Sequence, residues 1–108
     1  LIEQLLSEPS ISCTAEHIDQ GNLRVIQLLA NWFESLGFNC EIQHLEQSSG
    51  QSKNKTNLIA TLGNGNNGLV LAGHTDTVPF DENRWQVEPF GLTEKDERFY
   101  GLGSCDMK

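Results

Sequence analysis

Three side chains in this sequence have the right types to do chemistry together. The stretch "LVLAGHTDTVPF" (69–80) drives a run of apolar and small residues into His74, and Asp76 follows two positions later. The stretch "YGLGSCDMK" (100–108) adds a second carboxylate, Asp106, just after Gly101 and Gly103. If the extended chain reaches residue 76, His74 and Asp76 point to one face, roughly 7 Å apart. Ligands in open α/β sheets sit outside the carboxyl ends of strands, and the two glycines would allow the tight turn that returns Asp106 towards His74. A histidine with carboxylates is the ligand set of Zn²⁺, Mn²⁺ or Co²⁺ sites. One carboxylate can also bridge two metals ~3.5–4 Å apart. A ligating histidine needs an acceptor on its other ring nitrogen to fix its tautomer, and Asp76 is placed to be that acceptor. The same spacing also suits a plainer arrangement, a strand-end His and Asp hydrogen-bonded to nearby loop backbone.

Other residues weigh less. Cys105 adjoins Asp106 and could offer a thiolate, but it reads better as a small packed residue. His17 follows a loop and His44 falls on a strand, and both read as surface or packing residues. Trp85, Pro89 and Phe90 either line a substrate entrance or pin their loop onto the domain, with the second reading weightier. Lys108 reads as structural rather than as a substrate contact.

Elements must carry these residues. Residues 1–7 (LIEQLLS) suggest a short helix that Pro9 discourages from continuing. Residues 10–20 are polar and irregular. From Asn22 to Leu36, Val25, Leu28, Leu29, Trp32 and Leu36 fall at helical spacing, with Arg24, Gln27, Asn31 and Glu34 opposite. Trp32 on that stripe is expected in the core, and Gly37 stands where a left-handed cap belongs. Residues 38–46 alternate with the strand period, and 57–63 (NLIATLG) form a second strand. A polar loop covers 47–55, and the turn GNGNNG follows at 63–68. LVLAG (69–73) is apolar on both faces, so it is expected as a third strand buried between two covering layers. After Pro79 comes a long loop, then a hairpin over 92–101 with its turn near Asp96. These elements predict an α/β fold in which a mixed β-sheet is sandwiched by helices.

The chain has 108 residues, enough for one domain with a core, and begins with Leu1 rather than Met, so it reads as part of a longer protein. A net charge of −8 argues against nucleic acid or an anionic membrane as partner, since both call for a cationic surface. No apolar run approaches the ~18–20 residues of a membrane span, and no signal peptide is evident. The three cysteines, Cys13, Cys40 and Cys105, form neither a CxxC pair nor a disulfide framework, which fits a reducing, cytoplasmic setting.

The combination of "GHTDTVP" with a following "W", "PF", "YGLG" and "DMK" resembles the M20 family of metallo-aminoacylases and peptidases. The resemblance is close over 69–108 and looser over "PSIS" and "LANWFESLGFNCEIQ". Glu97-Arg98 departs from the usual glycine-containing turn, and Ser104-Cys105 stands where small residues vary. The resemblance implies that residues 1–108 are the N-terminal part of a zinc-exopeptidase-like catalytic domain, with the rest of that domain and a dimerisation or lid domain outside it. It implies two divalent metal ions, zinc with cobalt as the alternative. His74 would be a ligand of one, Asp106 would bridge both, and Asp76 would be the catalytic aspartate that orients His74. The Asp106–Met107 peptide would be cis. The Thr-Val-Pro-Phe-Asp wording favours a member that removes the acetyl group from N-acetyl-L-ornithine over one acting on N-succinyl-diaminopimelate. A related acylated amino acid or dipeptide remains an alternative substrate, and a non-catalytic α/β module that keeps the fold remains an alternative role. The full-length protein would be a homodimer acting on a small molecule. The 108 residues alone, lacking the family's general-base glutamate and remaining ligands, are expected to bind metal weakly and to be inactive.

Overall fold

The computed structural model describes residues 1–45 and 55–108. The short helix α1 spans Ile2–Leu6 and α2 spans Leu23–Ser35. Strands β1 (Asn39–His44) and β2 (Thr56–Thr61) follow, then a 3₁₀ turn at Glu82–Arg84, then β3 (Thr93–Lys95) and β4 (Arg98–Tyr100). The loop expected at 47–55 lies outside the described residues except for Lys55.

Helix α2 forms because its apolar positions recur every three or four residues, and Val25, Ile26 and Ala30 are buried on that face. Trp32 is only half-buried and Leu36 is exposed, so the stripe dries out towards its end rather than placing Trp32 in the core. Gly37 takes φ +88°, which ends the helix in the left-handed region as its position suggests. The chain then enters β1, which pairs antiparallel with β2 from Asn39 opposite Thr61 to His44 opposite Thr56. Cys40 and Ile42 turn inward beneath α2 while Asn39, Glu41 and Gln43 face out. The β3–β4 hairpin closes through Asp96 and Glu97, both at positive φ (52° and 58°), the conformation of a two-residue primed turn. The buried apolar residues are Leu6, Ile11, Val25, Ile26, Ala30 and Leu102.

The described residues combine helices and strands, the α/β class expected, but two finer expectations are not met among them. The described residues form two separate two-stranded antiparallel sheets, not one mixed sheet between helices. LVLAG forms no strand and pairs with none, and Leu69, Val70 and Leu71 are 86–88% exposed. The reason is geometric. A strand apolar on both faces is stable only with a pairing neighbour and a layer over each face, and α2 already lies on β1 and β2. The radius of gyration of 15.7 Å exceeds the ~13 Å of a compact chain this long, in keeping with that uncovered apolar surface. No helix among the described residues is long and apolar enough to cross a membrane.

One parallel contact does join the two ends of the chain. Ile11 bridges Thr77, with the Thr77 N–H donating to the Ser10 carbonyl at 3.1 Å and the Ser12 N–H donating to the Thr77 carbonyl at 2.8 Å. This contact fixes where residues 74–77 sit.

Candidate metal centre

His74, Asp76 and Asp106 come together. The 10–12 segment holds 75–77 from one side, and the loop 101–108 approaches from the other. That loop is anchored by Leu102, which is buried and donates its N–H to the Pro89 carbonyl at 2.7 Å. It then turns through Gly103 at φ +87°, packed so tightly on Thr77 that a Cβ there would lie 2.8 Å from the Thr77 methyl. The Lys108 N–H closes the loop on the Gly103 carbonyl at 2.9 Å, and the Met107 side chain lies against Gly73. The Lys108 ammonium donates to the Glu8 carbonyl, and burial pushes its pKa down to about 8, partly opposed by the Glu8 charge. Lys108 is therefore a structural tie, as expected.

Within this frame, His74 Nδ1 lies 3.2 Å from the Asp76 carbonyl oxygen and 3.4 Å from Asp76 Oδ1. His74 Nε2 lies 3.0 Å from Asp106 Oδ1. Both ring nitrogens face acceptors, and only the protonated ring can donate from both. The ring's pKa is accordingly raised, first by the Asp106 hydrogen bond and then by the Asp76 carbonyl, with desolvation opposing.

That arrangement also tests whether a metal fits. Two donors bound at ~2.0–2.2 Å to one tetrahedral cation lie about 3.3 Å apart, close to the 3.0 Å between Nε2 and Oδ1. A proton shared between Nε2 and Oδ1 would occupy the place a cation would take, while Asp76 lies on the other nitrogen. The fit covers two donors. Among the described residues, no group of three or more His, Cys, Asp or Glu side chains is placed to hold a metal.

The three residues open onto a cleft of about 420 Å³, whose other wall includes Val78, Trp85, Phe99 and Tyr100. Trp85 also packs edge-to-face on Phe80, with centroids 6.0 Å apart, and Phe80 does the same with Phe90 at 5.5 Å. Trp85 thus pins its loop and lines the cleft at once. Phe99 was no candidate from sequence, and Tyr100 entered only as the first residue of YGLG, because a hairpin's alternation does not say which strand end reaches a neighbouring loop.

The remaining candidates separate cleanly. His17 and His44 are exposed and away from the cleft lining. Cys105 lines the cleft but is exposed, so it is not the packed residue expected: the turns on either side of it project it outward. The Asp106–Met107 peptide is trans, like every described bond. A cis bond there would cost ~3 kcal/mol, and residues 105–107 are exposed.

Sequence reasoning also missed how 74–77 is held. Asn22 precedes α2 and looks like its cap, yet its side chain makes no cap bond. Its amide donates instead to Thr75 Oγ1 at 3.1 Å and to the Thr56 carbonyl at 2.9 Å. The "PSIS" resemblance was the available signal for Ser10, whose hydroxyl donates to the Thr75 carbonyl at 2.6 Å.

Comparison with known proteins bears on the same residues. The model of Peptidase family M20/M25/M40 matches residues 70–108. Over 96% of its length the chain is 58% identical to an acetylornithine deacetylase of Pasteurella multocida (strain Pm70). Over its whole length it is 56% identical to one of Proteus mirabilis (strain HI4320), and over 96% it is 54% identical to one of Shigella sonnei (strain Ss046). The chain spans about a quarter of the length of these curated relatives, 26–27% of each.

Proposed function

From residue 70 onward this chain belongs to peptidase family M20/M25/M40, and on that premise we propose that it forms part of a metal-dependent amidohydrolase removing the acetyl group from N-acetyl-L-ornithine. The observation that carries the chemistry is the placement of His74 Nε2 beside Asp106 Oδ1, with Asp76 on the opposite ring nitrogen. The substrate reading draws on the 54–58% identity to proteins named acetylornithine deacetylase.

His74 would hold one ion through Nε2, and Asp106 would share its carboxylate between two. The ions are taken as zinc, with cobalt as the alternative. A bound divalent metal supplies Lewis-acid polarisation of the acyl carbonyl and acidifies a water molecule. Asp76 keeps the proton on Nδ1, so the Nε2 lone pair faces outward, and its charge makes the ring a stronger donor. Val78, Trp85 and Phe99 give the cleft an apolar wall against which an acyl group can rest. The only carboxylates lining the cleft among the described residues are Asp76 and Asp106, and both are committed to His74. The proton-abstracting base must come from another residue, so the 108 residues alone should bind metal weakly and lack deacetylase activity. Residues 1–108 are then one part of the catalytic domain of a cytoplasmic homodimer acting on a small molecule.

The test uses a polypeptide carrying this segment at the length of its relatives. Metal content is quantified, and initial rates are compared on N-acetyl-L-ornithine and N-succinyl-diaminopimelate. A clear preference for N-acetyl-L-ornithine is expected. Preference for the succinyl substrate would move the reading to a sister activity. A metal-loaded protein inert on both substrates would overturn the deacetylase reading.

A further inference from the structure

Residues 74–77 belong to no sheet, so the orientation of the His74–Asp76 pair depends on whatever grips Thr75 and Thr77. Ser10 does this from a position only 1% exposed. Its hydroxyl donates to the Thr75 carbonyl at 2.6 Å, and its own carbonyl accepts the Thr77 N–H at 3.1 Å. One buried residue thus grips the backbone on both sides of Asp76. Asn22 grips the same segment from another direction. Its amide donates to Thr75 Oγ1 while its Oδ1 accepts the Thr56 N–H at 2.8 Å, tying the start of β2 to the site. An asparagine directly before a helix ordinarily caps it, and here that role is forgone.

The hydrogen bonds His74 itself makes are exposed. Exposed bonds compete with water and hold geometry poorly. Thr75 lies between His74 and Asp76, so a peptide rotation there would carry the Asp76 carbonyl and carboxylate away from Nδ1. We propose that Ser10 and Asn22 are positioning residues for the His74–Asp76 pair, fixing Asp76 on Nδ1 and thereby turning Nε2 towards Asp106. Their consequence for metal affinity rests on the metal reading of this site, whereas the positioning itself does not.

The test uses the 108-residue chain. Ser10→Ala removes the hydroxyl. Thr75→Val removes only the acceptor for Asn22 and keeps the side-chain shape. Ser10→Thr restores a hydroxyl. Val25→Ala, at a fully buried position of α2, serves as a control for general destabilisation. The first readout, without metal and at one fixed pH, is the ordered Nδ1 proton of His74 in long-range ¹H–¹⁵N NMR spectra. It is expected in wild type, Val25→Ala and Ser10→Thr, and lost or averaged in Ser10→Ala and Thr75→Val. The second readout is Co²⁺ titration followed by visible absorption. The affinity should fall about tenfold or more in Ser10→Ala and Thr75→Val and stay near wild type in Val25→Ala. Wild-type His74 signals in Ser10→Ala and Thr75→Val would overturn the proposal. So would equal losses in Val25→Ala, or a wild-type ring with no ordered Nδ1 proton. If the NMR signals respond as expected while wild type takes up no Co²⁺, the positioning role stands, and the metal reading is decided by the metal content of the polypeptide at the length of its relatives.

Discussion

His74 Nε2 and Asp106 Oδ1 lie 3.0 Å apart although 32 residues separate them in sequence. Nothing local enforces that approach. It is the product of the Ser10–Thr75 grip on one side and the Gly101–Lys108 turn on the other.

In the metal-free chain, His74 should titrate above the ordinary value of 6.5, with the Asp106 hydrogen bond as the largest cause. A raised folded pKa means the pair's contribution to stability is complete below the unfolded value. It disappears as pH rises through the folded one. The side chains are about half exposed or more, so that contribution is small. Asp106→Asn should lower the titration midpoint in ¹H NMR, and an unchanged midpoint would show that the contact does not form in solution.

Thr77 is 5% exposed, and its buried hydroxyl has no hydrogen-bond partner among the described residues. Removing such a group while keeping shape should help. Thr77→Val is expected to stabilise the chain by about 1 kcal/mol, read from urea unfolding midpoints. A loss of similar size would mean that a water or another partner satisfies the hydroxyl.

Gly101 sits where a Cβ would come within 2.6 Å of the Gly91 carbonyl oxygen and 2.7 Å of Leu6 Cδ1. Backbone cannot retreat as a flexible side chain can, so Gly101→Ala should cost roughly 1–3 kcal/mol. Gly65→Ala meets nothing within 4 Å and should stay within about 0.5 kcal/mol of wild type. Thermal melts of the two variants side by side decide the point.

The thiols should react in a set order. Cys105 is exposed, whereas Cys40 is half-buried under α2, and burial, then Glu34, raises its pKa. Less thiolate and poorer access both slow alkylation. Timed iodoacetamide labelling with mass spectrometry should find Cys105 modified well before Cys40, and the reverse order would contradict the packing described.

Local patterns were legible from sequence and long-range ones were not. The periodicity of Val25, Leu28, Leu29 and Trp32 announced α2, Gly37 announced its end, and the alternation from Phe38 to His44 announced β1. His74, Asp76 and Asp106 stood out through the family resemblance, since their spacing alone also suits a strand-end His and Asp bonded to loop backbone. The fate of LVLAG could not be read, because apolarity on both faces states a demand for cover without saying whether this chain meets it. Ser10 and Asn22 were opaque for a related reason. A serine in an irregular stretch and an asparagine before a helix have ordinary local explanations, and their actual partners lie 65 and 53 residues away.

The parallel contact between 10–12 and 75–77 has a kinetic consequence. Joining positions 65 residues apart closes a loop whose entropy costs roughly 4 kcal/mol before any contact repays it. Helix α2 closes no such loop and the β1–β2 pair, from His44 opposite Thr56, closes a much shorter one, so they are expected to form early and shorten the path that remains. The site is therefore expected to assemble last. Ser10→Ala should speed unfolding and leave the refolding rate nearly unchanged in stopped-flow measurements. A matching fall in the refolding rate would place the clamp in the folding nucleus instead.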